Sequence, residues 1–163
     1  MPGKIIFDSR PEMLYGADKN TPYRYSIVAG KPFGPNGNLG MFAPSKQLWY
    51  QYLDWKKEGQ WPEQFADGYA KQFLQEQSQS ETAQDMYNRL VNRKLDDDIA
   101  MACYCQDWDS CHRLLVAKNL VDKGAQNVFI RDGDQLMTPD DAVAQVPGLT
   151  ELFANLFAKA MVK

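Results

Sequence analysis

The chain has 163 residues, 44% hydrophobic and 12% aromatic, which suits one ordinary globular domain with a substantial core. A formal charge of −3 and the lack of any Lys/Arg tract argue against sequence-independent nucleic-acid binding, while leaving room for a local basic pocket. No run of about 18 apolar residues occurs and no charged segment leads into a long apolar core, so a soluble, cytoplasmic protein that does not enter a membrane is expected.

Residues 4–8 read as a short strand, and 11–22, with Pro11, Gly16 and Pro22, as loop. Residues 23–29 alternate aromatic or β-branched with polar side chains and predict a second strand. The Gly/Pro-rich stretch 30–37 that follows cannot be regular structure; it is either a lid or a surface connection. Pro44 suits a helical first turn, and Leu48, Trp49, Tyr52, Leu53 and Lys56 recur at helical spacing up to Gly59. A second helix is expected from about Pro62, with Phe65, Tyr69 and Phe73 as a core-facing aromatic stripe. A third starts around 78–81, where Ser78 and Glu81 have capping-box spacing, and presents Ala83, Met86, Tyr87, Leu90 and Val91 on one face. Asp96, Asp97 and Asp98 form a solvated turn before the apolar run 99–102, which reads as a buried strand.

The cleanest helix begins at Leu114 and stops at Gly124. Residues 127–131 predict another strand, Asp132 and Gly133 a turn, and Thr138 a cap for a short helix with Asp140 and Asp141 near its N-terminus. After Pro147 and Gly148 a last helix carries Leu149, Leu152, Phe153, Leu156, Phe157 and Ala160. That stripe packs on its own domain or, alternatively, forms a homodimer or partner surface.

Between strand 99–102 and the helix at 114 lie all three cysteines and the only histidine: Cys103, Cys105, Cys111 and His112. A strand-to-helix turn in an α/β sheet is where ligands bind, and free helix N–H groups there favour anions. Cys111, with Asp109 and Ser110 as caps, falls in the first helical turn and is a candidate nucleophile. A helix terminus supplies only about 0.3–1 kcal/mol, under one pKa unit, so activation needs Arg113, His112 or a bound electrophile as well. His112 suits acid or base work near neutral pH, or a structural hydrogen bond. Arg113 offers paired donors to a phosphate or carboxylate. Zinc held by Cys103, Cys105, Cys111 and His112 is disfavoured by spacing, since neither C-x-x-C nor a spaced His pair is present; no metal or cofactor is expected. A redox disulfide between Cys105 and Cys111 is a further alternative, and Cys103 reads as a small apolar filler of the strand. An odd number of clustered cysteines fits a reducing compartment better than a disulfide scaffold.

The segment Ala43-Pro44-Ser45-Lys46-Gln47-Leu48, the helix around 65–69, and above all Cys103-Tyr104 followed by Cys111-His112-Arg113-Leu114 resemble the domain of unknown function 488 family over roughly residues 23–124. In that family an Ala-Pro-Ser segment leads a helix, and a Leu-Cys-Tyr-like strand end precedes Cys-His-Arg at the next helix start. The resemblance implies a compact three-layer α/β unit and implies no activity. Here Cys105 stands where the family commonly has Glu.

The expected architecture is therefore a compact three-layer α/β/α single domain over 1–163. It has a mostly parallel central sheet, a family-like core at about 23–124 and a C-terminal helical extension from 125. Its expected site takes Cys111 as nucleophile or thiol ligand, His112 as acid or base and Arg113 as anion anchor, with Cys105, Tyr104, Ser110, Ser45 and Arg24 binding ligand around them. The expected function is that of an enzyme-like domain acting on a small anionic ligand, nucleotide-related or otherwise phosphorylated. The alternative is a non-catalytic interaction module whose cysteine motif is structural and whose partner surface is the C-terminal stripe.

Overall fold

The computed structural model describes residues 3–59, 65–105 and 107–162, the last six as backbone only. The first half forms β1 (Ile5–Ser9), α1 (Arg10–Leu14), β2 (Tyr23–Ser26), a 3-10 turn (Gly40–Phe42), α2 (Lys46–Lys57) and a π-helical segment (Phe65–Ala70) that runs into α3 (Lys71–Gln79). The second half forms α4 (Glu81–Val91), β3 (Ile99–Cys103), a 3-10 turn (Trp108–Ser110), α5 (His112–Asp122), β4 (Val128–Asp132), β5 (Gln135–Met137), α6 (Pro139–Ala144) and α7 (Leu149–Val162).

The sheet runs β2-β3-β1-β4-β5. Its first four strands are parallel, and β5 returns antiparallel beside β4. Every residue of β3 is buried, as its unbroken apolar run requires of a central parallel strand. The period of two then sorts the side chains. Ile99, Met101 and Cys103 join Phe7 and Ile130 in the large core under α2 to α7, while Ala100 and Ala102 meet Met13 of α1 on the other face. The architecture is thus α/β/α with unequal outer layers, one face being covered by a helix of only five residues. Because the strands are parallel, Ser9, Ser26, Cys103 and Asp132 all end at one edge, and the β3–α5 turn lies there.

Several local expectations are corrected. Pro11 does not hold residues 11–22 in loop; it occupies the first turn of α1, where its missing N–H costs nothing. The N-cap of α2 is Ser45, whose Oγ accepts from Leu48 N at 3.1 Å, and Pro44 stands just outside. Ser80, not Ser78, caps α4 by accepting from Ala83 N, because Ser78 Oγ donates within the preceding helix to the Gln75 carbonyl. The short strand β5 was not expected; three residues after a Gly133 turn leave too little pattern to read. Pro62 lies outside the described residues, as do the side chains of Phe157 and Ala160. Of the C-terminal stripe, Leu149 and Phe153 are buried in the chain's own core and Leu156 is exposed. Among the described residues no helix is long and apolar enough to cross a membrane.

The glycine-rich loop 30–37 is tied to the end of β2. A Cβ on Gly34 would stand 2.4 Å from Ser26 N, so only glycine permits this approach. Ser26 N donates to the Gly37 carbonyl at 3.1 Å, and Ser26 Oγ donates to Asn38 Oδ1 at 2.7 Å. The loop therefore forms a fixed wall beside the β3–α5 turn.

At the same sheet edge Arg131 clasps Asp18 with two bonds, 2.6 and 3.0 Å, while Asp8, at the end of β1, is fully buried. Burial first, and then the hydrogen bond and charge of Asp18, push the Asp8 carboxyl up to about 8. Asp8 Oδ2 lies 3.7 Å from Arg131 Nε, too far for a hydrogen bond, so that guanidinium offsets the burial only in part. The folded state thus binds this proton more tightly than the unfolded chain, whose carboxyl titrates near 3.8, and stability falls as pH rises from there through about 8. Asp8→Asn keeps the donor and removes the ionisation. Chemical denaturation of this variant should show a flatter stability profile between about pH 5 and 9; an unchanged slope would contradict a protonated Asp8.

Candidate active site

Cys111 is the N-cap of α5, in extended conformation, and no side chain caps that helix. This corrects the placement of Cys111 in the first turn with Asp109 and Ser110 as caps. Both of those residues belong to the preceding 3-10 turn or its end, which turns the Cys111 thiol inward. There it meets Cys103, the last residue of β3, at an Sγ–Sγ distance of 2.8 Å. Cys103 is therefore part of the thiol centre as well as strand filling.

Arg113 completes the centre. Only 1% exposed, it donates through Nη1 to Cys103 Sγ at 3.1 Å and to the Cys105 carbonyl, and lies 3.8 Å from Cys111 Sγ. A cation so far from water must be compensated by negative charge. Burial works against that charge on two thiols, pushing Cys103 up to about 11 and Cys111 well above its ordinary value. Cys105 goes the other way: the Cys103 and Cys111 thiols hydrogen-bond to its sulfur, and with the Arg113 charge they pull it well below the ordinary thiol range against the cost of burial. These shifts favour ionisation at Cys105, the least buried of the three. Burial alone would lower Arg113, but the charges on these cysteines hold it above its ordinary value.

His112 is fixed by its surroundings. Its Nε2 lies 2.7 Å from the Ile27 carbonyl, which can only accept, so Nε2 carries the proton and Nδ1 presents a lone pair to Cys111 Sγ at 3.7 Å. Burial lowers its pKa and keeps the ring neutral.

The thiol centre forms one end of a 470 Å³ cavity between the end of β2, the start of α2 and the β3–α5 turn. Cys103, Cys105 and His112 line it on one side, Pro44, Lys46, Trp49 and Tyr50 on another, and Tyr104 with residues 28–30 close it. Trp49, Tyr50 and Tyr104 each keep 41–55% of their surface exposed. Tyr104 is held edge-on to Phe33 at 4.9 Å, and its hydroxyl donates to the Lys31 carbonyl at 2.6 Å. A cavity of equal volume beside α7 contains Lys118, but two carboxylates, Asp122 and Asp140, already pair with that amine.

The structure brings Cys105, Tyr104 and His112 to the cavity wall, with Cys111 and Arg113 immediately behind. Arg113 faces inward and also lines a small polar recess by Asp8, so it does not present its fork to this cavity. Ser45 is next to the wall, but its hydroxyl is committed to Glu76 and to the α2 cap. Ser110 does not line the cavity. Arg24 points to the opposite sheet face, where Nη1 donates to the Met13 carbonyl, because residues 24 and 26 of β2 share the face of Ala100 and Ala102. Sequence reasoning missed Lys46, Trp49 and Tyr50 as wall residues. The available signal was an α2 apolar face too wide for one buried stripe; only Leu48 and Tyr52 of that helix are buried.

The ligand atoms of Cys103, Cys111 and His112 lie within 4.8 Å of one another, close enough for a metal ion. Arg113 Nη1 already supplies a positive charge against both sulfurs, and a dication there would be repelled by it.

A family model described as DUF488-N3a, the active DUF488-N3 subclade, matches residues 38–124, more than half of the chain. The matched segment holds every cavity-lining residue except 28–30. No curated protein and no solved structure matches the chain. Alkylation of the native protein, mapped by peptide mass spectrometry, should label Cys105 first and at a rate nearly constant from about pH 6 to 8, with Cys103 and Cys111 labelled only on unfolding. Prior labelling of Cys111 would contradict the assignment of the thiolate.

Proposed function

Since the chain belongs to the DUF488-N3a family, we propose that it is a thiol-dependent enzyme acting on a small, planar, anionic ligand of the nucleotide type. The observation that carries this reading is the half-buried Cys105 thiol at the wall of a cavity with three aromatic side chains. Faces of Trp49, Tyr50 and Tyr104 suit a flat heterocycle, for which aromatic stacking contributes about 1–3 kcal/mol per base. Lys46 suits a phosphate or carboxylate as a point charge, the part that the sequence alone assigned to Arg113.

In this reading Cys105 is the nucleophile and Arg113 the positioning residue, bonded to the Cys105 carbonyl, whose charge favours the thiolate. The Cys103 and Cys111 thiols stabilise the charge by hydrogen bonding, and His112 Nδ1, 3.7 Å from Cys111 Sγ, is the neighbouring base. Reduced thiols so close together suit a reducing compartment such as the cytoplasm.

Binding of a nucleoside monophosphate panel, followed by intrinsic tryptophan fluorescence, should weaken about tenfold in Lys46→Ala, equivalent to about 1.4 kcal/mol. Cys105→Ser should retain that affinity while losing all turnover of whichever member is a substrate. Equal affinity in Lys46→Ala and wild type, or turnover that survives Cys105→Ser, would overturn the reading.

A further inference from the structure

The three thiols differ in a way that nucleophilic catalysis does not use. Cys105 lines the cavity as a half-buried group, whereas Cys103, which also borders it, and Cys111 are buried and face each other with 2.8 Å between sulfurs. Both are held by regular structure, one ending β3 and the other capping α5. A disulfide requires about 2.05 Å between sulfurs, so the pair is within about 1 Å of bonding. We propose that Cys103 and Cys111 are an oxidisable dithiol, which peroxide converts to a disulfide by way of Cys105.

The route follows from access. Peroxide enters the cavity and meets Cys105, whose thiolate attacks one oxygen; the O–O bond breaks, leaving Cys105 sulfenic acid and hydroxide. Hydroxide takes the proton of Cys111, giving water, and the Cys111 thiolate attacks the Cys105 sulfur. An S–S bond forms and the S–O bond breaks. The released hydroxide takes the Cys103 proton, giving a second water. Cys103, already in contact with Cys111, then attacks the Cys111 sulfur and expels the Cys105 thiolate. In sum, two thiols and one peroxide give one disulfide and two waters, the peroxide being reduced and the two sulfurs oxidised.

The final pair is Cys103–Cys111 because the leaving thiolate is the one that this centre stabilises best. Oxidation removes the S–H protons of Cys103 and Cys111, and with them the hydrogen bonds that those thiols donate to Cys105. The consequence for catalysis rests on the proposed function above; the disulfide itself does not.

Wild-type protein treated with one equivalent of hydrogen peroxide should lose about 2 Da in intact mass, keep one of its three thiols alkylatable, and regain all three with a dithiol reductant. Peptide mapping should join Cys103 to Cys111. The variant Cys105→Ser should form the same link at least about tenfold more slowly, since it lacks the first acceptor of oxygen. A gain of about 16–48 Da on Cys105 with Cys103 and Cys111 still alkylatable would overturn the proposal, as would a stable Cys105–Cys111 link. If the Cys103–Cys111 link forms but Cys105→Ser keeps full turnover, the dithiol stands and the thiol-enzyme reading falls.

Discussion

A guanidinium with almost no access to water governs the working end of this molecule. Moving such an ion out of water costs several kcal/mol even after relaxation, and Arg113 recovers that cost by donating to sulfur and to a carbonyl. The resulting centre is not three independent thiols beside a base. It is three thiols, Cys103, Cys105 and Cys111, gathered around one buried cation, with a neutral histidine at its margin. Burial disfavours the charge on Cys103 and Cys111 and leaves the half-buried Cys105 as the thiol that ionises most readily. Both the nucleophile and the dithiol behind it follow from that asymmetry.

The fold supplies the conditions for this charge to exist. A fully buried β3 ends in Cys103, and the 3-10 turn after it brings the chain round so that the α5 N-cap returns to the same sulfur. Large side chains from β3 go to the thick face and alanines to the thin one, which lets the short α1 close that side. The wall of the cavity is built separately. Ser45, capping α2 and bonded to Glu76 of α3, orients the turn of helix that carries Lys46, Trp49 and Tyr50. The Tyr104 hydroxyl links the thiol turn to the glycine-rich loop.

Legibility in the sequence followed the range of the interactions involved. The strands at β1, β3 and β4 and the helices α2, α5 and α6 were readable because their periodicity and stop residues are local, Gly124 with φ +107 among them. The placement of the Cys-His-Arg run at a strand-to-helix turn was readable for the same reason. What was not readable was how the three thiols are buried against one another. Cys111 looked activated by a helix start, yet a thiol used as N-cap and buried against Cys103 has the opposite fate, and only the long-range approach of β3 decides it. Arg24 was misplaced because a strand's facing depends on which neighbour it pairs with. The aromatic wall was hidden because an exposed tryptophan and a core tryptophan look alike in a helical pattern.

The most direct test of the Arg113-held thiolate is the ultraviolet absorbance of the folded protein near about 240 nm, where thiolates absorb and thiols do not, followed as a function of pH. The account predicts about one thiolate equivalent persisting at about pH 6 in the wild type and lost in Arg113→Gln and in Cys105→Ser. Absorbance that develops only in the ordinary thiol range, about 8.5 and above, or that is indifferent to Arg113, would contradict it.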